Sequence, residues 1–514
     1  MADTRTSNSI KNSGATIIGR IAAMMMEFVL RTVLIRCLGI QYGGISTLFT
    51  DILQVLSLVE LGLGGAIIYA LYKPLADNDY EKINALMHFY RVAYNIIALV
   101  IFVLGLCFVP FLNTIVKDVP TIKEDIRIIY ILYIAATASS YLVIYKETLI
   151  KASQLSRIVV KIETTVRIVF IAIESICLYI TRQYMLFLVL RVVANIVRNI
   201  LISLEVKKRF PEVNFRSEKR LTKGEKQHLG NDIGAMALYK ISGVALNSTD
   251  SIIVSAFLGT GIVGILGQYR MITNFIANIF NSIWSAVLPS FGNLASVEDK
   301  EKQYSVFKKV SFGSFLIACL CTVGLFVLIN PVVELWVGRN YTVSIATVSA
   351  IAFNMYLVLT ILPFQTFRNA NGLFVQGKYR PLIMSGINIV LSLALVRPIG
   401  LFGVLLATPI SRLLTQTWFD PYLVYKHVFK KKPNEYFGDF IKHSAITIFC
   451  ALCARYLLNV FSFSNVLIKL IIGAIISIFI PMAVYIVLYH NNGDFKALLK
   501  AIENHMNKAI GKRS

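Results

Sequence analysis

Runs of about 20 or more apolar residues, separated by short charged or Gly/Pro-containing breaks, recur along all 514 residues. Reading between the breaks predicts fourteen membrane spans and an all-α polytopic membrane fold. The first six spans lie near 15–37, 44–72, 84–109, 124–148, 158–180 and 184–205. Six more lie near 231–257, 263–289, 308–330, 343–366, 381–396 and 401–424, and two follow near 440–460 and 465–489. Moving the sequence by 220 positions superposes Leu38-Gly39 on Leu258-Gly259, Gly44 on Gly264, Asp79 on Asp299, and Glu81-Lys82 on Glu301-Lys302. The repeat predicts two parallel six-helix lobes. On this reading residues 1–206 are the N-lobe, 207–229 a basic cytoplasmic linker and 230–425 the C-lobe. Residues 426–490 carry the last two spans, and 491–514 form a basic cytoplasmic tail.

Composition narrows the class. Hydrophobic residues make up 56% of the chain and charged residues 15%, against roughly 25% charged in soluble domains, which excludes a soluble enzyme. The net charge of +23 would suggest nucleic acid in a soluble protein. Here about two-thirds of the Lys and Arg residues fall in the tails and alternate loops on one side, the positive-inside pattern expected with both termini cytoplasmic. Nucleic acid is therefore not an expected partner. The polar amino terminus runs straight into the first helix, unlike a cleaved signal peptide, so it is expected to be retained. All seven cysteines sit in apolar segments, where Cys behaves as a small hydrophobe, and Cys450-x-x-Cys453 has no second pair or nearby His to hold a metal.

Ionisable groups at span depth cost roughly 2.5–3.5 kcal/mol on insertion scales and usually face a bundle interior or a wet cavity. In span one, Arg20, Glu27 and Arg31 fall within about 20° of one line at 100° per residue. Shifted by 220, they land on Lys240, Asn247 and Ser251. Arg191, Asn195 and Arg198 form a similar stripe on span six, and Arg270, Asn274 and Asn281 one on span eight. Glu163, Arg167 and Glu174 align on span five, where self-neutralising pairs favour helix glue. Arg36, Arg91, Arg127 and Arg412 lie near span ends and are expected to be structural or to snorkel to the headgroups. Arg20, Arg31, Arg191, Arg198, Lys240 and Arg270 outnumber evident acidic partners, which calls for an anionic ligand. With Asn274 they are the expected substrate-binding residues. Glu27 and Asp51 are the candidates for ion coupling.

Several motifs are decoys. Gly372 to Gly377-Lys378-Tyr379 resembles a phosphate-binding loop but has Tyr where Ser/Thr belongs and follows a helix rather than a strand. Asn247-Ser248-Thr249 is a glycosylation sequon inside a span. The outside loops are short, which weighs against catalysis, and no cofactor or metal is expected.

Leu38-Gly39 with Tyr42-Gly43-Gly44, Glu60-Leu-Gly-Leu-Gly64 and Leu71-Tyr-Lys-Pro-Leu-Ala76 together resemble the opening signature of bacterial polysaccharide flippases of the Wzx or PST type. These belong to the MOP superfamily, with the MATE exporters and the lipid II flippase, and the span count and repeat extend the likeness over nearly the whole chain. The resemblance implies a multi-pass protein of the bacterial inner membrane. Such a protein flips an undecaprenyl-diphosphate-linked oligosaccharide outward by alternating access through a cationic cavity, in the company of membrane lipids, a glycan polymerase and other assembly proteins. Cations on spans one and eight are typical of such flippases, and Arg20, Arg31 and Arg270 occupy those helices. The alternatives are a MATE-like ion-coupled exporter of small molecules, and a membrane-embedded glycan polymerase or ligase.

Overall fold

The computed structural model describes residues 2–60, 63–116, 122–217, 221, 241, 243–244, 248–373, 375–460, 465–497, 500 and 503, and within the first helix its side chains begin at Gly19, Arg20 excepted. The described residues form helices and no strands. Ten helical segments among them are long and apolar enough to cross a membrane, as backbone groups in hydrocarbon demand.

The chain divides into two compact units, Met1–Gly267 and Gln268–Ser514. The first unit contains α1 (Ala2–Leu38), α2 (Ile40–Leu56), α3 (Leu63–Asp77), α4 (Tyr80–Phe108), the short α5 (Leu112–Ile115), α6 (Ile126–Tyr141), α7 (Ile144–Ala152), α8 (Ser156–Thr181) and α9 (Tyr184–Arg209). It also holds α10 (Ser248–Leu258) and the start of α11 (Thr260–Val297), which runs on into the second unit. The second unit continues with α12 (Lys300–Trp336), α13 (Ile345–Ala370), α14 (Arg380–Leu414), α15 (Gln416–Val424), α16 (Asn434–Val460) and α17 (Val466–Tyr489).

The predicted spans map onto these helices with three informative differences. Span two is broken between α2 and α3, where Glu60 is held by the Tyr94 hydroxyl at 2.9 Å and the Tyr90 hydroxyl donates to the Leu63 carbonyl at 3.2 Å. Span four is broken at Leu142–Val143. Just before that break, Ser139 and Ser140 hydroxyls donate back to the Ala136 and Thr137 carbonyls, a competition that bends helices. Spans eleven and twelve are the two arms of α14, folded back at Gly400, whose φ of +61° is left-handed. The arms approach closely enough that Asn388 Nδ2 donates to Thr408 Oγ1 at 3.1 Å, and a Cβ on Gly403 would stand 2.5 Å from the Leu395 carbonyl oxygen. Of span seven, only α10 and a few residues before it fall within the described residues.

The sequence repeat reappears in local geometry. Gly39 and Gly259 have φ of +98° and +94°, left-handed turns that Gly adopts without steric cost. Asp79 and Asp299 cap α4 and α12, accepting from the Lys82 and Lys302 amides at 2.9 and 2.7 Å. Four residues thus perform two matched tasks at the same offset.

Each unit has its own apolar core. In the first, Leu63, Ile67, Leu71, Tyr90, Tyr94, Ile101 and Leu149 cluster among α3, α4 and α7. In the second, Phe312, Cys319, Val323 and Val327 of α12 meet Cys450, Ala454 and Leu458 of α16 and Tyr485 of α17. A Cβ on Gly473 would lie 2.7 Å from Leu328, so a residue without a side chain lets α17 close on α12. The two trailing helices therefore fold as part of the second unit.

The matched caps make a quantitative expectation. Asp79→Ala and Asp299→Ala should each lower stability by about 1 kcal/mol and, lying far apart in sequence without a shared partner, should add in the double variant. Thermal unfolding of the purified protein checks this. A loss at only one of the two positions would show that the caps are not equivalent.

Candidate functional site

The site in the first unit begins with a close approach of two backbones. A Cβ built on Gly44 would collide with the Thr260 carbonyl oxygen, and one on Gly264 would lie 2.5 Å from the Ile40 carbonyl oxygen and 3.2 Å from the Gly44 amide nitrogen. Only glycine allows α2 and the start of α11 to cross at this distance, the small-residue packing used within membranes. Gly44 and Gly264 are equivalent positions of the repeat, so the copies meet at matched points.

Beside this crossing lies the Arg31 guanidinium. Its Nη2 donates to Thr47 Oγ1 at 3.1 Å. A Cβ on Gly43 would lie 3.1 Å from Nη2, and one on Gly267 only 2.7 Å from it and 2.8 Å from Thr47 Oγ1. Gly43 and Thr47, four residues apart on α2, thus share a face and with Gly267 form a niche shaped to one arginine. Arg31 is half-buried there.

The adjacent face of α2 leads to a second cation. The Tyr133 hydroxyl donates to Ser46 Oγ at 2.8 Å and lies 3.0 Å from the Tyr184 hydroxyl. Arg191 Nη1 approaches Tyr133 Oη at 3.5 Å, and its guanidinium carbon stands 5.5 Å above the Phe187 ring centroid, a cation–π distance. Tyr42 packs edge-on against Tyr184 at 4.9 Å. Residues 43 and 47 of α2 therefore serve Arg31 while Ser46 serves the tyrosine pair beside Arg191. Two guanidinium groups, Arg31 and Arg191, and two tyrosine hydroxyls, Tyr133 and Tyr184, converge on α2.

The other expected site residues divide by their partners. Arg198 is held by Glu147 of α7 and Glu163 of α8, with its Nε donating to Glu163 at 3.1 Å, while Glu147 also pairs with Lys151. The buried Glu147 carboxylate needs this arginine as its counter-charge, so we remove Arg198 from the anion-binding set. Asn195 ties α9 to the Ala136 carbonyl at 2.9 Å. Glu27 accepts from Arg167 of α8 at 2.8 and 2.5 Å, which clamps α1 to α8 and leaves Glu27 a counter-ion instead of an open coupling site. The partners of Arg167 and Glu163 thus lie on neighbouring helices, where pairs along α8 itself were expected. Glu174, on the same helix, is fully buried and neither carboxylate oxygen has a hydrogen-bond partner among the described residues. Its burial was not legible in the span-five stripe.

Asp51 is half-buried on α2, two turns beyond Gly44, and Gln54 accepts from Ser248 of α10 at 3.2 Å. Arg270 and Asn274 lie in the second unit on α11, half-buried and exposed respectively. The Arg20 side chain, Lys240 and Asn247 lie outside the described residues.

Sequence reasoning missed a cluster in the second unit. Arg368 Nη1 and Arg380 Nε lie 3.1 and 3.4 Å from the wholly buried Asp420 carboxylate. Arg412, expected to be structural, donates to Asn354 at 3.0 Å and Gln416 at 2.9 Å. The phosphate-loop look-alike connects Arg368 to Arg380, with its Gly372 in a left-handed turn at φ of +67°.

Residues 9–295 match the family described as polysaccharide biosynthesis protein, and the chain belongs to that family. Among solved structures, lipid II flippase MurJ in an inward closed conformation gives a TM-score of 0.66 at 16% identity, covering 93% of this chain and 99% of that one. An inward-facing multidrug resistance MATE family transporter of the MOP superfamily gives 0.59 at 13% identity, over 77% of this chain and 95% of that one. A mutant of the Vibrio cholerae MATE transporter VcmN gives 0.55 at 13% identity over 83% and 98%. No curated protein matches significantly. The fold is that of a MOP-type flippase or transporter.

The glycines predict two distinguishable defects. In Gly267→Ala the new methyl meets the end of the Arg31 side chain and the Thr47 hydroxyl, both side-chain atoms that can shift, so a loss of about 1 kcal/mol, smaller than at Gly44, is expected while Arg31 leaves its niche. In Gly44→Ala the methyl meets a backbone carbonyl that cannot yield, and a loss of about 1–3 kcal/mol is expected. Thermal unfolding of both variants beside Gly261→Ala, where a Cβ meets nothing within 4 Å, tests this; equal losses at 44 and 261 would refute the close crossing.

Proposed function

We propose that the protein flips an undecaprenyl-diphosphate-linked oligosaccharide repeat unit from the cytoplasmic to the outer leaflet of the bacterial inner membrane, by alternating access through a cationic cavity, with both termini cytoplasmic. The observation that carries this reading is the fixed placement of Arg31 in its glycine and threonine niche, beside the tyrosine pair that supports Arg191. Guanidinium groups suit a diphosphate because their planar fork matches phosphate oxygens and their charge persists at any physiological pH. The family is named for polysaccharide biosynthesis and the matched folds include a lipid flippase; a saccharide carried on a lipid satisfies both.

The barrier to such a substrate is desolvation, since each hydroxyl taken from water into hydrocarbon without a partner costs several kcal/mol. A hydrated cavity removes that cost for the sugar while the polyprenyl chain stays in lipid. Arg31 and Arg191 hold the diphosphate, and Arg270, Asn274, Arg20 and Lys240 remain proposed contributors. The membrane potential, negative inside, favours outward movement of the headgroup by about 2.3 kcal/mol per charge at 100 mV. No chemical step is assigned to any residue, and the glycan polymerase and other assembly proteins would act on the product.

Export of surface glycan by cells producing Arg31→Ala should be abolished at unchanged protein abundance, with Arg31→Lys retaining part of it because a point charge replaces the fork. Normal glycan from Arg31→Ala would refute the substrate assignment.

Ion coupling is a second element of the proposal, and Glu174 favours it. Glu174 is wholly buried with no hydrogen-bond partner among the described residues, and Arg191, Arg167 and Glu27 are the charged groups near it. Proton binding at Glu174 would therefore alter the field at Arg191. In vesicles with an imposed pH gradient, Glu174→Gln should transport at a rate independent of that gradient. A dependence equal to the unmodified protein's would exclude Glu174 and leave Asp51 as the coupling candidate.

A further inference from the structure

Where α9 leads into the basic loop, the first unit carries an open groove of about 620 Å³. Its walls are α9, the break between α6 and α7, and residues 210–215. Ile196, Ile200 and Leu204 lie along one side, 46%, 52% and 58% exposed, and Leu142 at the helix break faces the same space at 48%. Spaced four apart, the three α9 residues make an apolar track about 12 Å long. The track ends at Lys207.

The charged end is organised. Lys146 Nζ donates to Ser203 Oγ at 2.9 Å and stands 5.8 and 5.9 Å from the Tyr145 and Phe215 ring centroids. Lys146 is thereby pinned at the groove. Among the described residues no acidic side chain lines it, and the nearby carboxylates are engaged elsewhere, Glu147 with Lys151 and Arg198, Glu205 with Arg209, and Glu212 with the Tyr80 hydroxyl.

The polarity of the groove runs along a membrane span, with apolar residues toward the middle of α9 and cations where the chain leaves it. That is the polarity of a phospholipid in a leaflet. A free phosphate would leave the exposed aliphatic track uncovered, and a neutral lipid would leave two ammonium groups without a counter-charge. We propose that this groove seats an anionic phospholipid, its headgroup between Lys146 and Lys207 and an acyl chain along Ile196, Ile200, Leu204 and Leu142. Lysine suits this task as a compact charge for a phosphodiester that need not be held bidentately. The bound lipid would fill the break between α6 and α7 and tie α7 to α9. The site is separate from the Arg31 niche and stands or falls independently of the proposed substrate.

The test uses the purified full-length protein with equal amounts of phosphatidylglycerol and phosphatidylcholine, bound lipid being counted by native mass spectrometry. Phosphatidylglycerol should be retained in excess, and Lys146→Gln/Lys207→Gln should lower that excess by about fivefold for each lysine. Lys442→Gln, an exposed lysine of the second unit, should leave it unchanged. Leu204→Trp, which keeps both cations and blocks the track, should also release the lipid, and it decides the matter if the double variant does not fold. Equal retention of the two lipids, or unaltered retention in Leu204→Trp, would overturn the proposal. So would displacement of phosphatidylglycerol by equimolar undecaprenyl phosphate, which would give the groove to the polyprenyl carrier instead.

Discussion

Backbone meets backbone where Gly44 faces Gly264 and Thr260, and the rest of the candidate site depends on that separation. A methyl group at either glycine would push α2 away from α11. The same spacing brings Gly267 against the Arg31 guanidinium and Thr47, so the arginine is located by packing as much as by its hydrogen bond. In lipid, apolar side chains gain little by leaving one hydrocarbon for another, and close van der Waals fit must hold helices together. The left-handed turns at Gly39 and Gly259 deliver both helices to this crossing from equivalent positions of the repeat.

Charges within the first unit serve two ends, distinguished by what surrounds them. Arg167 with Glu27, and Arg198 with Glu147 and Glu163, join α1 to α8 and α7 to α8 and α9. Removing the arginine from either set would leave its carboxylates without their counter-charge, most costly at the buried Glu147. Arg31 and Arg191 are instead supported by hydroxyls, a ring face and glycine surface. These supports fix the position of each guanidinium. The Arg368, Arg380 and Asp420 cluster shows the clamping use again within the second unit, where the carboxylate accepts a hydrogen bond from Arg368 and pairs by charge with Arg380, at the two ends of one connecting loop.

Much of the fold was legible because the bilayer imposes it: a run long enough to cross must be apolar, so hydropathy alone located the spans and the offset of 220 located the repeat. The breaks after Leu56 and Tyr141 were not legible, because Ser139 and Ser140 look the same in sequence whether their hydroxyls face a neighbour or bond back along the helix. Helical spacing placed Arg191, Asn195 and Arg198 on one stripe correctly as geometry, yet it could not say what each would face. Glu147 lies 51 positions from Arg198 on a different span, and no periodicity within one helix contains that pairing. Glu163 offered a usable signal, a carboxylate near the same end of its span as Arg198. Gly43 and Gly267 could have been found by asking which small residues accompany the repeat glycines a turn or less away. Glu174 offered none, since burial depends on neighbours from other helices.

The proposed transport cycle asks two contrary things of the Arg31 niche, namely to hold a diphosphate firmly and then to let it go. Clamps such as Arg198 with two carboxylates resist separation, since parting them leaves charge without a counter-ion. A glycine crossing behaves differently, because it has no interdigitated side chains to repack when the two backbones part and loses only dispersion and weak Cα–H contacts to oxygen. Movement of α11 away from α2 would carry Gly267 from the guanidinium and leave Thr47 as its nearest fixed support. The arginine would then regain rotamer freedom, and its hold on the phosphate would weaken as the way out widens. In that proposed cycle, grip and passage would be coupled through the four glycines at 43, 44, 264 and 267.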